Sequence, residues 1–173
     1  RESAAQIAAW AKRHRDAGEA VLVMGDFNAA PGMTTETGLI GTGPNLAEPG
    51  KRMLSSMAPA IVARDGRLVM TTGSPGGRTI INTVLQIYLN VTVWGMDIQQ
   101  AIDAPRVHHQ WLPDRIDHEP FAISAETQAA LEEMGYELDE RRSIGMAAGI
   151  TRTPEGFLAG YADRRGAGTA RGY

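Results

Sequence analysis

Four short stretches of this 173-residue sequence bring reactive or polar groups together at spacings that chemistry can use. Val21-Leu22-Val23-Met24 runs into Gly25-Asp26-Phe27-Asn28, which reads as a buried strand delivering a carboxylate and an amide to a loop. Gly73-Ser74-Pro75-Gly76-Gly77 falls between a strand pattern and an apolar helix pattern. Successive N–H groups at such a helix start point at one spot, with the positive end of the helix dipole behind them. That would suit the oxyanion of an acyl transfer, or a phosphate. No Lys-Ser/Thr follows at Walker-loop spacing, and a tight turn with no ligand stays open as the plainer reading. Ser55-Ser56 offers two hydroxyls that can hold a carboxylate, with Lys51 or Arg52 to assist, although such a pair also serves as a turn or a cap. Neither serine sits in a Gly-x-Ser-x-Gly elbow. His108 and His109 are adjacent, so on a strand they face opposite sides and cannot share one metal ion.

These groups need a frame, and the patterning supplies one. Residues 3–16 read as a helix with Ile7, Trp10 and Ala11 on one face, ended by Gly18 and followed by the strand of residues 20–24. Residues 29–50 are rich in Gly, Pro, Thr and Asn and read as a long loop. Residues 58–73 read as a hairpin turning at Asp65-Gly66. Residues 76–95 form a long helix pattern, with Ile80, Val84, Ile87 and Val91 on one side and Ile81, Leu85 and Tyr88 on another, as in a helix held between layers. A short helix over 97–105 and a surface helix over 124–135 follow, then strands in 136–140, 145–153 and 156–164 with Pro154-Glu155-Gly156 as a turn. The order predicts an α+β fold, mainly antiparallel strands layered with helices, and not a doubly wound parallel sheet.

Bulk properties exclude several classes. A net charge of -3 gives no basic footprint, so no nucleic-acid partner is expected. Zero cysteines exclude disulfides and thiolate chemistry. No apolar run is long enough to span a bilayer, so no membrane partner is expected either. The first residue is Arg1 and the opening stretch is not a signal peptide, so the chain reads as a fragment or a processed piece.

Two resemblances follow from the motifs. Residues 1–31, with Gly25-Asp26-Phe27-Asn28, resemble the endonuclease/exonuclease/phosphatase superfamily, which implies a Mg²⁺-dependent phosphodiesterase using Asp26, Asn28 and His118. Asp117-His118-Glu119-Pro120 mimics that family's late Ser-Asp-His-x-Pro, but with Ile116 in the serine position. From Met24 to Tyr173 the chain resembles the small, catalytic subunit of the γ-glutamyltranspeptidases (glutathione hydrolases). The resemblance rests on "MGDFNAAPG", "TTETGLIG", "PNLAEPGKRMLSSMAPAIV", "TGSPGGRTIINTVLQ", "AIDAPRVHHQWLPDRI" and "GYADRRGAGTARGY", in that order.

That second resemblance implies an N-terminal-nucleophile hydrolase fold, an αββα sandwich that would be incomplete here. It implies transfer or hydrolysis of the γ-glutamyl group of glutathione through a Thr acyl-enzyme, with no cofactor and no metal. Position by position, Asp26 matches the carboxylate that holds the substrate α-ammonium, Ser55 and Ser56 match the hydroxyls on its α-carboxylate, and Gly76 and Gly77 match the oxyanion-hole glycines. The expected partners are a γ-glutamyl substrate such as glutathione and the large subunit of the same precursor. The expected compartment is periplasmic or extracellular. Two departures stand out. The nucleophile motif Thr-Thr-His-x-Ser does not occur in these residues, since Thr34-Thr35 is followed by Glu36-Thr37. Val21-Leu22-Val23 stands where polar residues belong. The expected organisation is therefore a helix–strand piece of different origin, 1–23, joined to a γ-glutamyltranspeptidase-like domain, 24–173. This chain by itself is expected to turn over no γ-glutamyl anilide.

Overall fold

A computed structural model describes residues 49–50, 55–111 and 113–172. The expected helix at 3–16, the strand at 20–24, the loop up to residue 48, and Asp26 and Asn28 lie outside the described residues.

The hairpin forms as its sequence predicts. β1 (Ala60–Arg64) pairs antiparallel with β2 (Arg67–Gly73), with an irregularity in register between Val62 and Ala63. The turn residues have positive φ, 51° at Asp65 and 73° at Gly66, which matches the right-handed twist of the strands they join. Two later strands complete a four-stranded antiparallel sheet in the order β1-β2-β6-β7, with β6 at Ala148–Arg152 and β7 at Leu158–Ala162.

One face of this sheet is covered by helices. After a 3₁₀ turn at Gly77–Thr79, α1 (Ile80–Thr92) buries Ile80, Thr83, Val84 and Ile87, one stripe at helical spacing. α2 (Ile98–Asp103) begins at a capping box in which Asp97 and Gln100 satisfy each other's backbone N–H groups. Val62, Met70, Ile87, Ile98, Ala101, Ile102 and Ala147 form the main core between sheet and helices. The second apolar stripe of α1 is covered less fully than its sequence predicts, because Leu85 is 39% exposed and Ile81 only half-buried. On that side Leu85 borders an open cavity shared with Val107, Ile116 and Leu131.

A small second sheet abuts α1. β3 (Val107–His108) pairs antiparallel with β4 (Arg115–His118), and β4 pairs parallel with β5 (Glu137–Glu140). The surface helix α3 (Ala125–Glu133), capped by Ser124, makes the crossover that a parallel pair requires. This parallel pairing is absent from the mainly antiparallel expectation, since the four residues of β4 carry too little alternation to register as a strand. Gln86 ties α1 to the small sheet: its amide accepts from the Val107 N–H at 2.9 Å and donates to the Val107 carbonyl at 2.7 Å, as a strand neighbour would. The fold is a mixed α and β arrangement with the glycine turn at the junction of sheet and helix.

Candidate functional site

Three consecutive peptide planes of the glycine turn are fixed by hydroxyl groups. Ser74 Oγ donates to the Pro75 carbonyl at 2.6 Å. A trans peptide points its N–H opposite to its C=O, so this contact sets the direction of the Gly76 N–H. Thr79 donates to the Gly76 carbonyl twice, from its backbone N–H at 3.1 Å and from Oγ1 at 3.0 Å. That carbonyl is held against the first helical turn, so the Gly77 N–H points away from the helix. Ser56 Oγ donates to the Gly77 carbonyl at 2.6 Å, and the Ile80 N–H donates to the same oxygen. Gly76 has φ 145° and Gly77 φ 56°, conformations that a side chain disfavours, and both residues are exposed. The result is a pair of outward N–H groups at the start of α1, a 13-residue helix.

A loop from the far end of the chain supports this turn. Ser74 Oγ accepts from the Met146 N–H at 3.0 Å, and a Cβ on Gly76 would lie 3.4 Å from Gly145 Cα. Gly145 has φ 68° and no room for a side chain, since a Cβ there would come within 2.8 Å of both Ser74 Oγ and Thr83 Oγ1. The loop is held in turn by buried charges. Glu119 accepts from the Ile144 N–H at 2.6 Å, Arg106 donates to the Ile144 carbonyl at 2.7 Å, and Asp163 accepts from the Ala147 N–H at 2.8 Å. Arg106 pairs with Asp163 at 2.7 Å, both side chains at most 2% exposed, and Arg165 bridges Asp163 to Glu119. Burial alone would raise the Asp163 carboxyl pKa, but the N–H groups of Arg165 and Ala147 together with Arg106 outweigh it and hold the pKa below its ordinary value.

A second ionic cluster flanks the turn on its helix side. Arg78 donates to Asp117 at 2.6 Å, and Asp117 also pairs with Arg115 at 2.9 Å and Arg141 at 3.4 Å. Here too burial works to raise the carboxyl pKa, and the hydrogen bonds from Arg78 and Arg115 override it, leaving the group ionised to lower pH than usual.

The sequence candidates divide clearly. Ser56 meets Gly77 across 21 residues, so the hydroxyl pair and the glycine pair belong to one place. Ser55 stands beside it, half-buried, with its Oγ accepting from the Met57 N–H at 3.1 Å. Asp26 lies outside the described residues, as do Lys51 and Arg52. The phosphodiesterase reading fails on its downstream partners. Asp117 is engaged by three arginines, Glu119 by Arg165 and backbone N–H groups, and the ring of His118 is buried with Nδ1 against the Glu119 carbonyl at 3.1 Å. A strand that spends its carboxylates on internal ion pairs has none left for a metal or a phosphodiester; among the described residues no group of three or more His, Cys, Asp or Glu could hold a metal ion. His108 and His109 separate as expected. His108 is buried between Asn82 and Gln110, and burial lowers its pKa; His109 meets Asp114 at the surface, at 3.0 Å. Sequence reasoning missed Ser74, Thr79 and the 143–147 loop. The hydroxyls flanking the glycines in Ser74-Pro75-Gly76-Gly77-Arg78-Thr79 were the available signal for the first two.

Comparison with known proteins bears on what such a turn does. A family model described as gamma-glutamyltranspeptidase matches residues 23–173. The glutathione hydrolase proenzyme of Escherichia coli (strain K12) is 43% identical over 142 residues, which is 82% of this chain and 24% of that protein. The corresponding proenzyme of Pseudomonas sp. (strain A14) is 46% identical over 112 residues, 65% of this chain and 20% of that protein. The chain thus spans a quarter or less of these relatives. Among solved structures, the T380A mutant of Helicobacter pylori gamma-glutamyltranspeptidase superposes with a TM-score of 0.69 at 39% identity, covering 82% of this chain and 77% of that one. The Pseudomonas nitroreducens gamma-glutamyltranspeptidase complexed with L-DON gives 0.71 at 36% identity, covering 86% and 78%.

Proposed function

This chain belongs to the gamma-glutamyltranspeptidase family, and we propose that it supplies the head-group pocket and the oxyanion cradle for transfer or hydrolysis of a γ-glutamyl group, with glutathione as a substrate. In this reading Asp26 holds the α-ammonium, the Ser55-Ser56 segment receives the α-carboxylate, and the Gly76 and Gly77 N–H groups face the oxygen of the γ-carbonyl. A Thr outside these residues attacks that carbonyl carbon as a base takes its hydroxyl proton; the tetrahedral oxyanion forms at the cradle and collapses, the C–N bond breaking as that proton passes to the departing amine of the leaving peptide. Water or an acceptor amino acid then takes the acyl group from the Thr ester. The observation that carries the reading is the 2.6 Å contact between Ser56 and Gly77, which joins the segment for one end of the substrate to the segment for its reacting carbon.

The same proposal includes a large subunit as partner, a periplasmic or extracellular location, and an αββα sandwich. The last is supported by the face of the four-stranded sheet opposite the helices, which no described residue covers and on which Ile61 (73% exposed) and Leu158 (63% exposed) lie. It also includes separate origins for residues 1–23 and 24–173, motivated by Val21-Leu22-Val23 in place of polar residues. A single long sequencing read across the codons for residues 10–40 is expected to reproduce this join; transpeptidase-like sequence upstream of Met24 would overturn it.

The pocket itself is tested by thermal unfolding of the chain with glutathione or L-glutamate. At roughly ten times Kd the ligand is expected to raise Tm by about 3–5 °C. Asp26→Ala is expected to abolish the rise. No shift at saturating concentrations of either ligand would count against the pocket.

A further inference from the structure

Resting on the acyl-transfer reading above, we propose that the two serines have different roles: the Ser56 hydroxyl is a positioning group for the glycine cradle, and Ser55 alone offers a side-chain proton to a bound carboxylate. A hydroxyl has one proton to donate. That of Ser56 is committed to the Gly77 carbonyl at 2.6 Å, and the residue is 5% exposed. A carboxylate is an acceptor only, so at Ser56 Oγ it would meet lone pairs unless that bond first broke. Ser55 is placed the other way round. Its Oγ accepts from the Met57 N–H, and among the described residues no acceptor takes its proton.

The cradle needs such a device because Gly77 has no side chain of its own to hold its φ of 56°. The Gly77 carbonyl is gripped by Ser56 from 21 residues away and by the Ile80 N–H, while the next residue, Arg78, is pinned to Asp117 at 2.6 Å and to Gln110 at 3.2 Å. Loss of the Ser56 contact would leave the Gly77–Arg78 peptide held by the Ile80 N–H alone, loosening the Gly77 backbone on one side while Thr79 still grips the Gly76 carbonyl on the other. The carboxylate segment and the oxyanion cradle are thereby one mechanical unit.

Amide hydrogen exchange and L-glutamate titration, both followed by NMR on the full 173-residue chain, separate the two roles. Ser56→Ala is expected to speed exchange at the Thr79 and Ile80 amides about tenfold relative to amides of β6, with L-glutamate affinity changed less than about twofold. Ser55→Ala is expected to leave that exchange unchanged and to weaken L-glutamate about tenfold. Ser56→Thr, which keeps the hydroxyl, should retain protection; Ser56→Cys, a weaker donor, should fall between and serves if the alanine variant does not fold. Equal losses of affinity in the two alanine variants, or unchanged exchange in Ser56→Ala, would overturn the assignment. A wild-type chain that L-glutamate does not perturb counts against the pocket of the preceding subsection, and the exchange comparison then decides the Ser56 link by itself.

Discussion

Replacing Asp163 with Asn is expected to destabilise the chain by about 3–5 kcal/mol, the cost of leaving a buried charge without its partner. Arg106 is 1% exposed, and its guanidinium would keep the carbonyls of Ile102 and Ile144 and face a neutral amide in place of the carboxylate. Burial lowers the Arg106 pKa, yet an arginine stays charged, so it cannot escape by losing its proton. The damage would spread, because Asp163 also accepts from the Ala147 and Arg165 N–H groups and so anchors the loop that supports the glycine turn. Urea denaturation at neutral pH measures the effect. A loss below about 1 kcal/mol would mean that the pair is not buried as described. Replacing both partners together, Arg106→Met with Asp163→Leu, is expected to recover a substantial part of the loss, since no charge is then stranded.

The same carboxylate gives a pH dependence of definite sign. The folded-state pKa of Asp163 lies below its ordinary value of 3.8. Its contribution is therefore complete at pH values well above that figure and is lost as pH falls through the depressed folded value. Asp117 acts in the same direction. Wild-type stability should fall steeply on acidification below about pH 5, and the Asp163→Asn variant should show a shallower fall over the same range.

The second large effect is expected from Gly76→Ala. A Cβ there would stand 2.6 Å from Thr79 Oγ1, on a backbone with φ 145° that an L-residue rarely adopts. Relief requires Thr79 to move, and Thr79 is the residue that holds the Gly76 carbonyl and so aims the Gly77 N–H. Strain of this kind costs about 1–3 kcal/mol. Under the proposed function, misaiming this N–H would lower kcat, measured with the large subunit present, about 10²–10³-fold. Gly73→Ala is the control: a Cβ at Gly73 meets nothing within 4 Å, and its φ is not positive. Thermal unfolding of the two variants side by side checks the claim. Equal Tm values would refute the turn geometry from which the cradle is built.

How far the sequence reaches is set by the range of the interaction. The β1–β2 hairpin was legible because Asp65-Gly66 and its flanking alternation specify it within a few residues, and α1 because its buried stripe repeats at helical spacing. The glycine turn was legible for the same reason: the conformations of Gly76 and Gly77 are local requirements. The ordered motifs from Met24 onward were enough to indicate the family. Nothing local says that Ser56 reaches Gly77, that the loop at 143–147 lies beneath Gly76, or that Arg106, Glu119, Asp163 and Arg165 meet in the interior. A charged residue looks the same in sequence whether solvated or buried, and only the tertiary fold supplies the partner that makes burial tolerable. That is also why Asp117-His118-Glu119 could pass for a catalytic motif: the arginines that claim its carboxylates come from positions as distant as Arg78 and Arg165.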